Sequence, residues 1–354
     1  MLQWSRKPAE GEFEPTSIYD GTVISLIKIY LNDPDSPFHA LRYRVKLAYE
    51  SKLRTIAATV GEMNIPALCF RDFKRWHKNY CRSKQEGGPP RPARGHAIMT
   101  QIRLLMEFGK LLRLTGCKEA SESLSGMRFR NPKKRTVFMT AEQAIAIRRE
   151  AHKQGRPSIA LAQALMFDLM FRQKDVIGET IPNTEPGLSE VIFGDRAKWL
   201  YGMHWSEIDE SLILRHRLSK SLKGRDAILD PTAGKLEEYD LKVYPMVMEE
   251  IQHVKDLTGP VVIREETGLP WDHKSFSRAW RKIARLAGVP DEVQNRDSRA
   301  GAVTEALDSG ANLDQVRRHA GHSRQETTII YARDSLKAKA EVIDIRKKNR
   351  PKTA

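Results

Sequence analysis

The sequence predicts two domains, a small all-α domain at the N-terminus followed by a larger mixed α/β, mainly helical domain. Three observations carry this. The chain has 354 residues, room for about two domains at roughly 150 residues each. Helical periodicity fills the first third and returns from Trp280 onward. Between them, residues 211–229 read as short β segments (SLILRHRL, then KGRDAILD) with Ser219 to Lys223 at the turn.

Residues 1–16 read as a polar, flexible lead-in. The first domain spans 17–116. Its helical segments are Thr22 to Leu31, Ala40 to Val60, Cys69 to Cys81, and a fourth carrying Ile98, Ile102, Met106 and Leu112, set off by GGPPRPAR at 87–94. Residues 117–137 are polar, carry Pro132-Lys133-Lys134-Arg135, and read as an interdomain linker. The second domain spans 138–345. Thr140 with Gln143 makes a capping box, so a helix starts there. Ile159 to Phe171 is apolar nearly all round and predicts a buried helix. Thr180 to Gly187 is turn-rich and reads as a surface loop. A basic tail, 346–354, closes the sequence.

The formal net charge of +15 favours a polyanionic partner, because Lys and Arg release counterions when they neutralise phosphates. The N-terminus has no apolar h-region, and Ile159 to Phe171 is far short of the ~20 residues of a membrane span. Cys69, Cys81 and Cys117 fit no zinc spacing, and an odd count argues against a disulfide framework. A cytoplasmic protein without metal, cofactor or membrane is the simplest account.

The last 60 residues concentrate the chemistry. Arg299 heads a helix that Gly310 stops. A second helix runs from about Leu313 to His319 and ends at Gly321, with His322 in the turn. Ser323 and Glu326 make a further capping-box pattern, opening a helix that leads to Tyr331. Taken singly, each residue has a structural reading. Arg172 at a helix end would complement the dipole, Lys220 would be a solvated turn lysine with Lys223 its competitor, His322 a cap, and Tyr331 a core aromatic. His216 and His319 read as structural.

The joint order resembles the tyrosine recombinases of the phage-integrase family. Their H-x-x-R box corresponds to Arg296-Asp297-Ser298-Arg299, their Gly-His turn to Ala320-Gly321-His322, and their tyrosine, nine residues on, to Tyr331. Upstream, Arg172 with Asp175 matches the family's Arg and following acid, and Ser219-Lys220-Ser221 its hairpin lysine. The resemblance covers about 138–345 and, more loosely, 17–115. It implies a helical core-binding domain and a DNA breaking–rejoining catalytic domain, closing as a C-shaped clamp on duplex DNA. It also implies nucleoid association, a homotetramer on paired sites, and room for accessory DNA-bending proteins. Arg42, Arg44, Lys46, Lys52, Arg54 and Arg103 are the candidate DNA contacts of the first domain.

The chemistry explains the residue types. Attack on a phosphodiester builds negative charge on the non-bridging oxygens, and guanidiniums such as Arg172 and Arg299 clamp those oxygens without losing charge. By resemblance, Tyr331 would take the 3′ phosphate and free a 5′ hydroxyl. Lys220 would protonate that oxygen, and His322 would donate a hydrogen bond to the phosphate. The bond energy is retained, which accords with a sequence holding no P-loop and no metal-ligand cluster.

Two departures stand out. Arg296 occupies the position of the box histidine; arginine cannot act as a base, though it can donate hydrogen bonds to phosphate. Residues 178–202 look like an insertion relative to the family. A C-terminal helix, Ser335 to Ile345, would dock on a neighbouring subunit or on its own domain. Two other readings remain: a type IB topoisomerase-like enzyme, and a DNA-binding protein that kept the fold without activity.

Overall fold

The structure, a computed structural model, describes residues 18–129, 135–222, 224–230, 232–254, 257–330, 343–344 and 346–347. Tyr331, the lead-in 1–16, Lys223 and nearly all of the expected C-terminal helix and basic tail lie outside them. The chain divides into two compact units between Arg135 and Thr136.

The first unit is helical: α1 (Val23–Asn32), α2 (Tyr43–Val60), α3 (Phe70–Tyr80), α4 (Pro92–Leu111) and α5 (Cys117–Gly126). Each turns one apolar stripe inward, as amphipathic periodicity requires. Leu53, Ile56 and Val60 of α2 and Phe73, Trp76 and Tyr80 of α3 are buried. Thr22 caps α1 by accepting from the Ser25 N–H at 3.2 Å, a contact worth about 1 kcal/mol.

Helix α5 corrects the sequence expectation, which placed a linker from residue 117. Cys117, Ala120, Ser121 and Leu124 are buried at helical spacing and pack on α4. Gly109 permits the close approach: a Cβ there would stand 2.5 Å from Cys117 Sγ. The Ser and Glu content of 117–126 belongs to the outer face, and it masked the stripe.

The second unit packs helices around α7 (Pro157–Asp168), with α6 (Ala141–Lys153) before it and α8 (Gln173–Ile177) after it. Thr140 caps α6 with Gln143 as its box partner, as the sequence predicts. Residues Ile159 to Phe167 are all buried, because α6, α9 (Pro245–Ile251) and α11 (Asp297–Asp308) all pack on α7. The helix stops three residues before the expected Phe171, since Met170 takes a left-handed φ of 53° and Arg172 is extended. The buried polar group on α7, Gln163, is satisfied from two sides. It accepts from Trp280 Nε1 at 2.9 Å and donates to Ser298 Oγ at 2.8 Å. A buried amide left unpaired would cost about 1–3 kcal/mol, so this triangle fixes α10 (His273–Leu286) and α11 on α7.

Residues 178–202 are ordered rather than a simple loop. Strands β1 (Glu179–Pro182), β2 (Ile192–Phe193) and β3 (Ala197–Leu200) form an antiparallel sheet in the order β1-β3-β2. Ile181 and Trp199 are buried on opposite faces of it. A hairpin of β4 (Ile213–Arg217) and β5 (Leu236–Asp240) follows, pairing Leu214 with Tyr239. The first expected β segment is therefore present. The second is displaced: residues 226–229 form a 3-10 turn and the partner strand comes later. Leu236 to Asp240 buries Tyr239 against Phe171 and His319, whereas 226–229 has no buried position that would hold it in a sheet.

After α10 come α11, α12 (Leu313–His319) and α13 (Gln325–Ile329). Gly310 stands beyond α11 with φ 94°, the expected stop. The Ser323 cap is not formed; Arg324 is the N-cap residue of α13 and makes no side-chain cap bond. Among the described residues no helix is long and apolar enough to cross a membrane.

Candidate active site

Arg172 stands where extended chain enters α8, its Nη1 3.9 Å from Oδ2 of the fully buried Asp175. That separation is a charge contact rather than a hydrogen bond. The other Asp175 oxygen, Oδ1, accepts from the Ser219 N–H at 2.8 Å. One buried carboxylate thus ties Arg172 to the segment that carries Lys220.

Arg299 lies in the first turn of α11 and is buried. Its Nη1 donates to the Met170 carbonyl at 2.8 Å and its Nη2 to the Ala320 carbonyl. The left-handed Met170 aims that carbonyl at the guanidinium. Ala320 leads into Gly321, whose φ is 58° and whose missing Cβ leaves room for Leu218, 2.4 Å from where that atom would stand. His322 follows, buried, with Nδ1 2.9 Å from Thr328 Oγ1 on α13. Arg317 Nη1 donates to the His322 carbonyl at 3.2 Å.

Arg172, Lys220, Arg299 and His322 converge: Asp175 joins Arg172 to Ser219, next to Lys220, and Arg299 holds the Met170 and Ala320 carbonyls, two residues before Arg172 and before His322. Burial pushes the His322 pKa down to about 3, and Arg299, Arg172, Lys220 and Arg317 push the same way. The Lys220 ammonium is also held below the ordinary lysine value, first by Arg172, then by burial and Arg299. Cations clustered at this density form a site for an anion with delocalised oxygens.

Arg296 is exposed at the start of α11. Its neighbour Asn295 is nine-tenths buried and donates through Nδ2 to Gln173 Oε1 at 2.9 Å, beside Arg172. Gln173, Asn295 and Arg296 line an open cavity of about 850 Å³ whose other wall is α10, with His273, Arg278, Arg281 and Arg285. Sequence reasoning passed over this basic wall. Arg278, Arg281, Lys282 and Arg285 recur at helical spacing on one face, and that spacing was readable. It also left Thr328 and Arg317 unassigned. Neither has a signal outside the folded chain.

Tyr331 lies just past the described end of α13, so its side chain is not placed. His216 and His319 are structural, as expected. His216 Nδ1 meets Glu207 at 3.0 Å, and His319 stacks on Tyr244 and accepts the Tyr239 hydroxyl at its carbonyl, 3.1 Å away.

The candidate DNA contacts of the first unit lie mainly on α2. Arg44 and Arg54 are exposed; Arg42, Lys46 and Lys52 are half-buried, Lys52 lying over the Tyr49 ring. Arg54 stands 3.9 Å from Glu50. Arg103 is engaged differently. It donates to the Leu124 and Met127 carbonyls at 3.3 and 2.9 Å and lies over the Phe129 ring, fastening the end of α5.

Residues 191–337 match the phage integrase family; Lys220, Arg296, Arg299, His322 and Tyr331 fall inside that match and Arg172 precedes it. No curated protein matches the chain in sequence. Among solved structures, a lambda integrase dimer bound to a COC′ core site is 14% identical, covering 89% of this chain and 96% of that one, with a TM-score of 0.63. A lambda integrase tetramer bound to a Holliday junction is also 14% identical, covering 88% and 78%, with a TM-score of 0.62. The Tn1549 transposon integrase in complex with transposon right end DNA is 12% identical, covering 92% and 99%, with a TM-score of 0.60. Identities this low show a shared fold. Over residues 191–337 the chain is similar to the phage integrase family, and its fold is that of the lambda and Tn1549 integrases.

Proposed function

We propose that the protein is a site-specific recombinase that cuts and rejoins DNA through a covalent bond between Tyr331 and the 3′ phosphate of the cleaved strand. The observation that supports the residue assignments is the convergence of Arg172, Lys220, Arg299 and His322 in one anion site, with His322 nine residues before a tyrosine. Arg299 is immobilised by two carbonyls and Arg172 is steered by Asp175, so both guanidiniums are in place before a phosphate arrives. Preorganised donors of this type each contribute about 2.7–4 kcal/mol to lowering a barrier.

In the reaction Tyr331 Oη attacks phosphorus and the P–O5′ bond breaks. The departing oxygen takes its proton from Lys220, and the tyrosine proton is lost to solvent. The depressed Lys220 pKa makes that ammonium a stronger acid than a free lysine. Neutral His322, with Thr328 at Nδ1, presents Nε2–H to a non-bridging oxygen. Arg296 acts as an electrostatic member of the site and not as a base.

The same reading assigns the first unit to DNA backbone contact through Arg42, Arg44, Lys46, Lys52 and Arg54. It assigns two synapsed duplexes to four protomers, in analogy with the lambda integrase tetramer. The working location is the nucleoid. Duplexes enriched by the purified chain from a randomised library supply the substrate. Two copies of an enriched site on one supercoiled plasmid test the function. Excision of the intervening segment supports recombination. Relaxation without excision supports the topoisomerase-like reading, and binding with neither supports a DNA-binding protein.

A further inference from the structure

The inserted sheet of residues 179–200 touches the loop that carries Lys220. Its turn at 183–187 is unusually well fastened. The ammonium of Lys198, about nine-tenths buried, donates to the carbonyls of Asn183, Glu185 and Gly187. A buried lysine is costly unless its donors are satisfied, so this turn holds one conformation. The sheet is rooted on α8 as well, where Trp199 Nε1 donates to the Ile177 carbonyl at 2.8 Å.

From that turn two contacts reach the loop between β4 and β5. Glu185 Oε2 meets Arg225 Nε at 3.2 Å, its side chain only 13% exposed. The Gly187 backbone receives Ile228: a Cβ on Gly187 would lie 3.2 Å from two Ile228 carbons. The base of the loop is closed separately, with the Leu218 N–H on the Lys235 carbonyl and the Lys235 N–H on Ser221 Oγ, at 3.1 and 2.6 Å. Asp175 grips Ser219 at the root, and the insertion grips Arg225 and Ile228 further along.

We infer that the insertion is a brace acting within one chain, and that Glu185 and Arg225 are positioning residues that hold Lys220 against the leaving oxygen. This rests on the strand-transfer reading above. The brace acts through proton delivery alone, so it matters only when the leaving group needs a proton. An oxygen leaving group needs one. A thiolate, from an acid of pKa near 8.5 in a model thiol, leaves without it.

The test uses the enriched duplex as a nicked suicide substrate in two forms, with oxygen or with sulfur at the bridging 5′ position. Covalent trapping rates are measured for the full chain, E185Q, R225Q, the charge swap E185R/R225E, and K220A as the control. The expected result is a tenfold or larger slowing of E185Q and R225Q on the oxygen substrate, with wild-type rates on sulfur and recovery on oxygen in the swap. Equal slowing on both substrates, or no slowing on oxygen, overturns the brace. A wild-type chain that traps neither substrate overturns the strand-transfer reading, and the brace with it.

Discussion

Asp175 accepts the backbone N–H of Ser219 at 2.8 Å, across 44 residues of chain, while its other oxygen faces Arg172. The pair joins two catalytic candidates, Arg172 and the segment that carries Lys220, through one buried side chain. Asp175 is fully buried, so its loss strands a buried N–H beside an unbalanced guanidinium. Asp175→Ala is expected to destabilise the second unit by about 2–4 kcal/mol and to lower cleavage more than binding. Urea unfolding beside a gel shift checks this; unchanged stability contradicts the assignment.

His322 gives a pH signature in the DNA-free protein. Its folded pKa, about 3, lies below the ordinary histidine value near 6.5. Between these values the unfolded chain binds a proton that the folded chain refuses. The stability His322 contributes is therefore present above about pH 6.5 and is lost as the pH falls toward 3. Denaturation from pH 7 to 4 is expected to show a shallower fall for His322→Gln than for wild type. Parallel curves contradict the reading.

DNA changes that balance. Burial depresses His322 first and the cations add to it; a phosphate seated among Arg172, Lys220 and Arg299 offsets the cations, so binding is expected to raise the His322 pKa and to take up protons at acid pH. Calorimetry in buffers of differing ionisation enthalpy reads the uptake, which His322→Gln removes. Identical uptake in the variant places the titrating group elsewhere.

Arg296 is exposed and lines the basic cavity formed with α10. Arg296→Ala is expected to slow cleavage about tenfold, well short of the loss at Arg299, and to reduce the salt dependence of binding by about one phosphate contact. Full activity with an unchanged salt slope removes Arg296 from the site.

The order Arg172, Lys220, Arg299, His322 was read from the joint resemblance to the phage-integrase family; local marks showed only the elements around these residues. Thr140 capped α6, Gly310 ended α11 and Gly321 turned the chain ahead of His322. What could not be read depends on distant partners. Helix α5 was hidden by a polar outer face, and β5 by the turn residues between it and β4. The sheet at 179–200 was hidden because Lys198 and Trp199, its buried anchors, find their partners only in the fold. The Ser323 cap failed although its residue pattern was sound, since α13 begins one residue later, with Arg324 at the N-cap.

The central claim is that Tyr331 forms the covalent bond, and a labelled nicked duplex tests it most directly. Wild type and Tyr331→Phe are mixed with the enriched duplex and run on a denaturing gel. The account predicts a retarded protein–DNA band for wild type, absent from Tyr331→Phe, with equal gel shifts for the two under native conditions. A band that persists in Tyr331→Phe, or none in wild type despite a normal shift, contradicts it.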